Sequence, residues 1–273
     1  MTSNEYLQGF KNVLQVKYPD SFNTHKTYMS MLSKFLNEFR GNIQRASKDD
    51  LIEYLATIKG NSQKAQMHGV LKNFYAYVLD SPLKFKYIPT TKKEHRLPFA
   101  PQHEQVMEMI QDETNLKHKA ILMFFYGTGI RLSELTEARW KDIQRVKGEN
   151  PLQLHIRGKG KKDRVVPLSQ NVFNILSQYC KEYQLNSKCK ECYIFEGVNG
   201  GRYSNRSAHE VVKRAGKKYG LQISPHKLRH SCFRTLRGKG VDLAAIQKLA
   251  GHADIKTSGM YADMLPQKIE MPI

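Results

Sequence analysis

Two helical patterns meet at Gly127-Thr128-Gly129-Ile130-Arg131-Leu132-Ser133-Glu134-Leu135. An apolar run over 116–126 precedes this junction and predicts a buried helix, which the glycines are expected to end. A second helix is predicted to begin at Ile130-Arg131 and to continue to about Trp140. Because Arg131 follows two glycines and a buried helix, its backbone position is expected to be fixed, unlike that of an ordinary surface arginine.

Downstream of this junction the pattern changes from helical to alternating. Apolar and polar residues alternate over 152–156 and again over 165–167, with Gly158-Lys159-Gly160-Lys161-Lys162-Asp163 between them. This arrangement predicts an antiparallel hairpin with a basic tip. A further short strand is predicted over 193–195, and everything after Ser207 has a helical pattern.

Upstream, the first 80 residues contain four helical patterns and no strand pattern. Apolar residues recur there at intervals of three and four, so that each helix presents one apolar face. Ser47 and Asp50 have the spacing of a capping box at the start of the third helix. The fourth helix is predicted to end at Ser81-Pro82, since proline cannot continue it.

The charge of the chain is strongly positive. Its 273 residues include 44 Lys+Arg and 25 Asp+Glu, a net charge of +19, of which positions 1–90 hold 12 basic and 7 acidic residues. With 40% hydrophobic residues the chain is expected to fold, so this charge lies on a folded surface and indicates a polyanionic partner such as nucleic acid. We predict a mostly helical α+β protein with a small antiparallel sheet, divided into a helical domain (1–83), a basic linker (84–98) and a mixed domain (99–273).

Membrane insertion and secretion are both disfavoured by the sequence. It has no apolar run of the roughly 18 to 20 residues that a membrane span needs, and no signal-peptide pattern at its start. The four cysteines are too few to stabilise a chain of this length through disulfide bonds, so reduced thiols in the cytoplasm are expected. Cys189-Lys190-Glu191-Cys192 matches half of a zinc site, but the missing second half favours a solvated turn and no metal.

The polar residues that stand out are basic. The sequence contains no phosphate-binding glycine loop followed by Lys-Ser/Thr, no HExxH and no aligned carboxylate cluster, which argues against nucleotide hydrolysis and two-metal nuclease chemistry. Ser224-Pro225 predicts a helix start, after which His226 and Arg229 share one helical face. Such a pair can bind two oxygens of one phosphate.

Two further residues have ordinary explanations when taken alone. A helix over 242–250 is predicted to end at Gly251, and His252 just beyond it is most simply a residue that stabilises the helix C-terminus. Tyr261 is one of 14 tyrosines and by itself suggests only a core position.

In order along the chain, however, five segments resemble the signature motifs of the tyrosine recombinases, the phage-integrase and Xer-type site-specific DNA recombinases. The resemblance covers about residues 97–265, and the N-terminal helices resemble the core-binding (SAM-like) domain of that family. The matching segments are Gly127-Thr128-Gly129-Ile130-Arg131-Leu132-Ser133-Glu134-Leu135, Gly158-Lys159-Gly160, His226-x-Leu228-Arg229-His230-Ser231, Leu249-Ala250-Gly251-His252 and Tyr261.

The resemblance implies an enzyme that cleaves and rejoins DNA through a covalent 3′-phosphotyrosine, without metal, ATP or another cofactor. It also implies double-stranded DNA at specific sites as partner, a homotetramer on two sites, and in some systems an accessory or directionality factor. By family position, Tyr261 is the nucleophile, Arg131 and Arg229 hold the phosphate, His226 donates a hydrogen bond and can transfer a proton, His252 donates to a nonbridging oxygen, and Lys159 (with Lys161 as main rival) is the general acid. Glu134, one helical turn from Arg131, is expected to orient it.

Three alternatives remain open at the level of sequence. Integration, excision and resolution by a prokaryotic mobile element or chromosome would have the same motifs. A type IB topoisomerase-like enzyme would use nearly the same residues on arbitrary DNA. A DNA-binding regulator without catalytic activity is disfavoured by the full set of candidate catalytic residues.

Overall fold

The computed structural model describes residues 2–85, 87–90, 100–145, 152–157, 163–186, 188–198, 200–251 and 270–273. The chain divides into two compact units, Met1–Leu97 and Pro98–Ile273. Each unit has its own cluster of buried hydrophobic residues. Within the described ranges, no helix is both long and apolar enough to cross a membrane.

The first unit is helical, as predicted. Its third helix begins with the expected capping box, in which the Asp50 amide donates to Ser47 Oγ (3.1 Å) and the Ser47 amide donates to Asp50 Oδ2 (2.7 Å). The fourth helix ends before the expected Ser81-Pro82, because Asp80 adopts a φ of +49° and the chain turns away. The helices are α1 (Ser3–Lys17), α2 (Phe22–Glu38), α3 (Lys48–Thr57) and α4 (Asn61–Tyr77).

Aromatic side chains fill the core of this first unit. Phe10, Phe35 and Phe74 are fully buried, and edge-to-face ring contacts such as that between Phe10 and Phe74 fix their orientation. A 3-10 helix over Pro82–Phe85 follows α4, and both Phe85 and Ile88 are buried in the same core. The core therefore includes the first residues of the stretch expected to be an exposed linker.

In the described part of the second unit, six helices and a small sheet surround one buried helix. The central helix α6 contributes fully buried residues such as Ile121 and Phe124, and its lack of a polar face follows from contacts on several sides. The described helices are α5 (His103–Gln111), α6 (Leu116–Thr128), α7 (Leu132–Glu137), α8 (Gln170–Glu182), α9 (Asn205–Lys218), α10 (Pro225–Gly238) and α11 (Leu243–Ala250).

The sheet is antiparallel and has three described strands. They are β1 (Ile143–Arg145), β2 (Leu152–Ile156) and β3 (Arg164–Leu168), in the order β1-β2-β3. Leu154 of β2 pairs with Ile143 on one side and Val166 on the other, so the predicted hairpin is present. The mostly helical fold with a small antiparallel sheet is thus confirmed.

Two local predictions in this unit are wrong. The helix expected to continue to Trp140 ends at Glu137, because Asp142 Oδ2 accepts from the Arg139 amide (2.8 Å) and begins a new turn that leads into β1. With only three residues, β1 is too short to show alternation. The strand predicted over 193–195 forms a single bridge, from Tyr193 to Arg139, and is not part of the sheet.

The cysteines also differ from the expectation of reduced thiols. Cys189 and Cys192 form a disulfide, because a tight turn places their Cα atoms 5.3 Å apart and the Cys192 amide donates to the Cys189 carbonyl. Both thiols of the half zinc motif are therefore engaged. Cys180 and Cys232 are free and buried. Within the described part of the chain, no group of three or more potential metal-ligating side chains is present.

Candidate active site

The turn between α6 and α7 requires a glycine at position 129. Gly129 caps α6 in the left-handed conformation, with φ +59°, and its amide donates to the Phe125 carbonyl (2.9 Å). A Cβ there would lie 2.9 Å from Cys232 Sγ and 2.9 Å from the ring of Phe233, closer than real contacts allow. This turn places Arg131 at the start of α7.

Arg131 is held in position by two protein partners. Its backbone amide donates to Glu134 Oε2 (2.7 Å) and its Nη1 donates to Glu134 Oε1 (3.0 Å), so Glu134 caps the helix and orients the side chain together. Nη2 donates to the Gly251 carbonyl (2.8 Å). The side chain remains 43% exposed, so the guanidinium is fixed and still accessible.

Arg229 lies on α10 and is almost fully buried, with 6% exposure. Its Nη1 donates to the Gly129 carbonyl (2.5 Å) and its Nη2 donates to the Ala250 carbonyl (2.5 Å). Burial, and then the positive charges of Arg131 and Arg164, lower the pKa of Arg229 to about 10. The guanidinium is therefore still charged at neutral pH, although it is buried beside two other cations.

His226 lies in the first turn of α10, where Ser224 caps the helix and Pro225 is its first residue. The Nε2 atoms of His226 and His230 are 2.9 Å apart, so one ring donates to the other. His226 shares a surface pocket of about 390 Å³ with both arginines. The pocket is lined by Phe125, Arg131, Leu132, His209, Ser224, Pro225, His226 and Arg229.

Of the six predicted catalytic residues, the structure thus brings together Arg131, His226 and Arg229. The other three, Lys159, His252 and Tyr261, lie outside the described residues. Glu134 contacts Arg131 directly, at the helical spacing on which its predicted orienting role rests.

Arg164, the first residue of β3, is absent from the residues predicted from the sequence. Its Nη1 and Nη2 donate to the two carboxylate oxygens of Glu134 (2.8 and 2.7 Å), and its Nε donates to the Leu249 carbonyl (2.7 Å). The side chain is only 8% exposed. Because these partners are 30 and 85 residues away in sequence, no local spacing could have revealed the contact.

Three consecutive carbonyls at the end of α11 each accept from a different arginine. We call Leu249, Ala250 and Gly251 the carbonyl trio; their donors are Arg164, Arg229 and Arg131, respectively. Carbonyls in the last turn lack partners within the helix and carry partial negative charge, so guanidinium donors suit them. The three arginines therefore fix the end of α11, and His252 is the next residue in the sequence.

Glu134 is the only described carboxylate that accepts from both Arg131 and Arg164. Burial by itself would raise the pKa of Glu134, but the hydrogen bonds from Arg164 and Arg131 outweigh that effect and lower it from 4.5 to about 2. Its side chain is 11% exposed, so solvent screens these bonds little. Glu134 therefore stays ionised over the whole physiological pH range.

We expect Glu134→Gln to lower the stability of the second unit at neutral pH by about 3 kcal/mol. In the folded wild-type chain the pKa of Glu134 is depressed, so its contribution is complete above pH 4.5 and is lost as the pH falls towards 2. The variant lacks this titration and should show a shallower loss of stability over that interval. Denaturant unfolding followed through the fluorescence of Trp140, the single tryptophan, reports on this unit.

The matched control is Glu137→Gln on the same helix. Glu137 pairs with Arg202 (2.8 Å), but its side chain is 61% exposed, so removing its charge should change stability by less than about 1 kcal/mol. If Glu134→Gln kept the pH dependence of the wild type, the depressed pKa of Glu134 would be contradicted.

The sequence profile of the Phage integrase family matches residues 99–268 of this chain. That range is well over half of the chain and contains every residue of the site described above. The chain belongs to the phage integrase family, the tyrosine recombinases.

Individual relatives match along nearly the whole chain. It is 30% identical to the tyrosine recombinase XerA of Pyrococcus horikoshii, covering 100% of this chain and 94% of the relative. It is 28% identical to the tyrosine recombinase XerC of Staphylococcus haemolyticus, covering 95% and 92%. The chain is therefore a DNA recombinase, an enzyme of site-specific recombination.

Two solved structures share its fold. The XerH recombinase bound to a palindromic difH substrate has a TM-score of 0.73 at 22% identity, covering 84% of this chain and 73% of that one. A lambda integrase dimer bound to a COC′ core site has a TM-score of 0.72 at 17% identity, covering 93% and 96%. At these identities the comparison concerns the fold alone.

Proposed function

We propose that this recombinase cleaves and rejoins double-stranded DNA through a covalent 3′-phosphotyrosine on Tyr261. The observation that carries this proposal is the shared pocket of Arg131, His226 and Arg229, which come from two helices about 100 residues apart in sequence. Phosphoryl transfer without a metal needs fixed hydrogen-bond donors for the charge that develops on the phosphate oxygens. Two guanidiniums and a histidine on one pocket supply such donors.

The electrostatics of the pocket favour an anion. Arg229 keeps its charge although it is buried, and Arg131 adds a second cation whose side chain is partly open to solvent. The N-terminus of α10, with Ser224 and Pro225 on the pocket, contributes the positive end of a 14-residue helix. A phosphate bound here would meet three sources of positive potential, and Arg131 would offer it the most exposed donors.

The roles of Lys159 and His252 are proposed from the family. The contacts of described residues close to them in the sequence support these roles. β3 follows the predicted hairpin tip of Lys159 and begins at Arg164, which contacts Glu134. α11 ends at Gly251, whose carbonyl is bound by Arg131, and His252 follows it. We assign Lys159 as general acid, with Lys161 as its rival, and His252 as a donor to a nonbridging oxygen.

In the proposed reaction the phenolic oxygen of Tyr261 attacks the scissile phosphorus, and the bond to the 5′ oxygen breaks. The phenolic proton passes to His226, and the phosphate becomes ester-linked to the tyrosine, while the general acid gives a proton to the leaving 5′ oxygen. Attack by a 5′ hydroxyl on this phosphotyrosine reverses the step and rejoins the DNA. Because the energy of the broken bond is kept in the ester, neither ATP nor a metal is needed.

A homotetramer on two DNA sites is the proposed assembly, with residues 1–83 as a core-binding domain. The lambda integrase of similar fold was solved as a dimer on one core site, and two such sites would carry four protomers. Light scattering of the chain on DNA should therefore show dimers on one site and tetramers on a synapsed pair. A monomer on each site would contradict this assembly.

We place the reaction in the prokaryotic cytoplasm, since the relatives come from archaea and bacteria.

The chemistry is tested by trapping the covalent intermediate in EDTA. Sites are first recovered from random duplexes by selection for binding, and each is then nicked so that the released 5′ fragment diffuses away. We expect a denaturant-resistant adduct, which after nuclease and protease digestion gives one modified peptide containing Tyr261. An absence of adduct, or cleavage that requires Mg²⁺, would contradict the proposal.

A plasmid with two recovered sites separates recombination from the topoisomerase-like alternative. Recombination by the purified chain should produce the defined deletion or inversion, whereas a type IB topoisomerase-like enzyme would relax plasmids with or without the sites. A regulator without catalytic activity would do neither. If the purified chain cleaves DNA but does not recombine it, recombination that appears on addition of host extract would reveal a required accessory or directionality factor.

A further inference from the structure

Arg164 connects parts of the site that the proposed reaction needs and that lie far apart in the sequence. Its three guanidinium nitrogens all have protein acceptors: Glu134 takes two of them and the Leu249 carbonyl takes the third. Glu134 in turn binds Arg131 through both its backbone and its side chain. A single buried side chain therefore joins β3, α7 and the end of α11.

Arg164 and Arg131 share Glu134 but differ in access to solvent. The side chain of Arg164 is 8% exposed and that of Arg131 is 43% exposed. Arg131 can thus meet a phosphate in the pocket, whereas Arg164 is covered and bonded to protein on every nitrogen. Arg131 lines the pocket that it shares with His226 and Arg229, and Arg164 does not.

We propose that Arg164 is a positioning residue for DNA cleavage, which holds Glu134, and through it Arg131, in place while fixing the end of α11 that leads to His252. This inference rests on the proposed function of Arg131 as a phosphate ligand. Arg164 itself touches neither the DNA nor the reacting atoms.

The arrangement is specific for arginine. The planar guanidinium reaches both oxygens of a carboxylate at once and keeps Nε for the carbonyl, which one ammonium group cannot do. The space around it is also closely filled. A Cβ on Gly251, which has a φ of +61°, would lie 3.3 Å from the Cδ and Nη1 atoms of Arg164 and 3.3 Å from Nη1 of Arg131.

The test compares wild type, Arg164→Gln and Arg164→Lys as full chains on the same nicked duplex. DNA affinity is measured by fluorescence anisotropy, and the single-turnover cleavage rate is measured at saturating protein. Because misplacing a reacting group by about 1 Å costs on the order of 100-fold, we expect Arg164→Gln to cleave about 100-fold more slowly. Its affinity should stay within about twofold of wild type, since the many phosphate contacts of the chain remain. The cleavage rate of Arg164→Lys should fall between those of wild type and Arg164→Gln.

A second readout distinguishes positioning from a general structural defect. Without Arg164, the Glu134 carboxyl loses its strongest hydrogen bonds and keeps only those from Arg131, so its pKa rises above the wild-type value, and the variant should lose further activity as the assay pH is lowered from about 8 to 5. Arg131 and Arg229 are the other cations facing Glu134. The adjoining pocket adds Glu137, Arg139, Asp142, His155, Arg157 and Arg202. Those groups are unchanged in the variant, so the ratio of variant to wild-type rate isolates Glu134.

The matched control is Arg202→Gln, which removes an arginine paired with another glutamate of α7, Glu137, at an exposed position. Its cleavage rate at saturating protein should equal that of wild type. Fluorescence of Trp140 establishes that each variant is folded at the assay temperature, and if Arg164→Gln is not, Arg164→Lys is expected to show a roughly 10-fold loss with the same pH trend.

The outcomes are distinct. A wild-type chain that forms no adduct overturns the proposed function and this role together. A wild type that cleaves, with Arg164 variants that match its rate or that lose the same factor at every pH, overturns the positioning role alone.

Discussion

Tyr261→Phe is expected to bind the recombination site with wild-type affinity and to form no covalent adduct with it. The substitution removes only the hydroxyl oxygen, and phosphate contacts elsewhere in the chain are expected to supply the affinity. Without that oxygen no nucleophile is left to attack the phosphorus. The cleavage rate should therefore fall below detection, the largest effect we expect from any single substitution in this chain.

Four of the six described tyrosines of the second unit are disfavoured as nucleophiles by their environment. A nucleophilic tyrosine must lose its proton during attack, which neighbours that raise its pKa oppose. Burial raises the pKa of Tyr126 to about 12 and also raises the pKa of Tyr179 and Tyr203. The hydrogen bond to Asp112 raises the pKa of Tyr219 to about 12. These four hydroxyls are therefore poor candidates for the nucleophile.

The control for this prediction is Tyr183→Phe. Tyr183 is 40% exposed at the end of α8, so its hydroxyl can be removed with little structural effect. Nicked duplex is incubated with each protein, and adduct is quantified on a denaturing gel next to a binding measurement. Adduct formation by Tyr261→Phe, or its loss in Tyr183→Phe, would show that the nucleophile has been misassigned.

Local features of the site were predictable because their signals are local. Ser224-Pro225 starts a helix through capping and a fixed φ, and the interval from His226 to Arg229 then places both on one face. The glycine at 129 ends the apolar helix because the cap adopts the left-handed conformation, with φ +59°, which favours a residue without Cβ. In these cases neighbouring residues determine the structure, so the pattern can be read directly.

The features that escaped prediction depend on pairs far apart in the chain. Arg164 gives no sign in sequence that its partner is Glu134, since an arginine at the start of a strand is usually exposed. The hydrogen bonds to the carbonyl trio could not be predicted either, because every residue has a backbone carbonyl and the residue type does not show which of them accepts. The bond from Arg131 to Gly251 spans 120 residues. Long-range packing, and not local propensity, determines these contacts.

Arg229→Lys is expected to reduce single-turnover cleavage about 1000-fold, equivalent to about 4 kcal/mol of transition-state stabilisation. The structure holds the Arg229 guanidinium by two carbonyls, Gly129 and Ala250, and stacks it 4.8 Å from the ring centre of Phe233. Keeping a buried charge beside Arg131 and Arg164 is unfavourable in the free protein. A phosphate in the pocket, with its growing negative charge during attack, provides the compensating interaction.

Lysine preserves the charge but lacks the geometry for this position. The three N–H donors of lysine all lie on one nitrogen, so they cannot span the two carbonyls and the phosphate that the separate guanidinium nitrogens reach. Ground-state affinity for DNA should change far less than the rate, because Arg229 is only 6% exposed and the many surface cations supply most of the binding. The two effects are separated by measuring anisotropy and cleavage on the same duplex.

Chemical rescue makes the test specific for the guanidinium. Arg229→Ala leaves a cavity of suitable size, and guanidinium ion at millimolar concentration, well below that which unfolds proteins, should restore part of the cleavage rate, whereas ammonium ion should not. Arg234→Lys on the same helix is the control, since Arg234 is exposed and bonds only to the Ala100 carbonyl among described acceptors. It should cleave at the wild-type rate. Arg229→Lys cleaving within tenfold of wild type would remove Arg229 from the phosphate site, because a misplaced transition-state donor cannot have so small an effect.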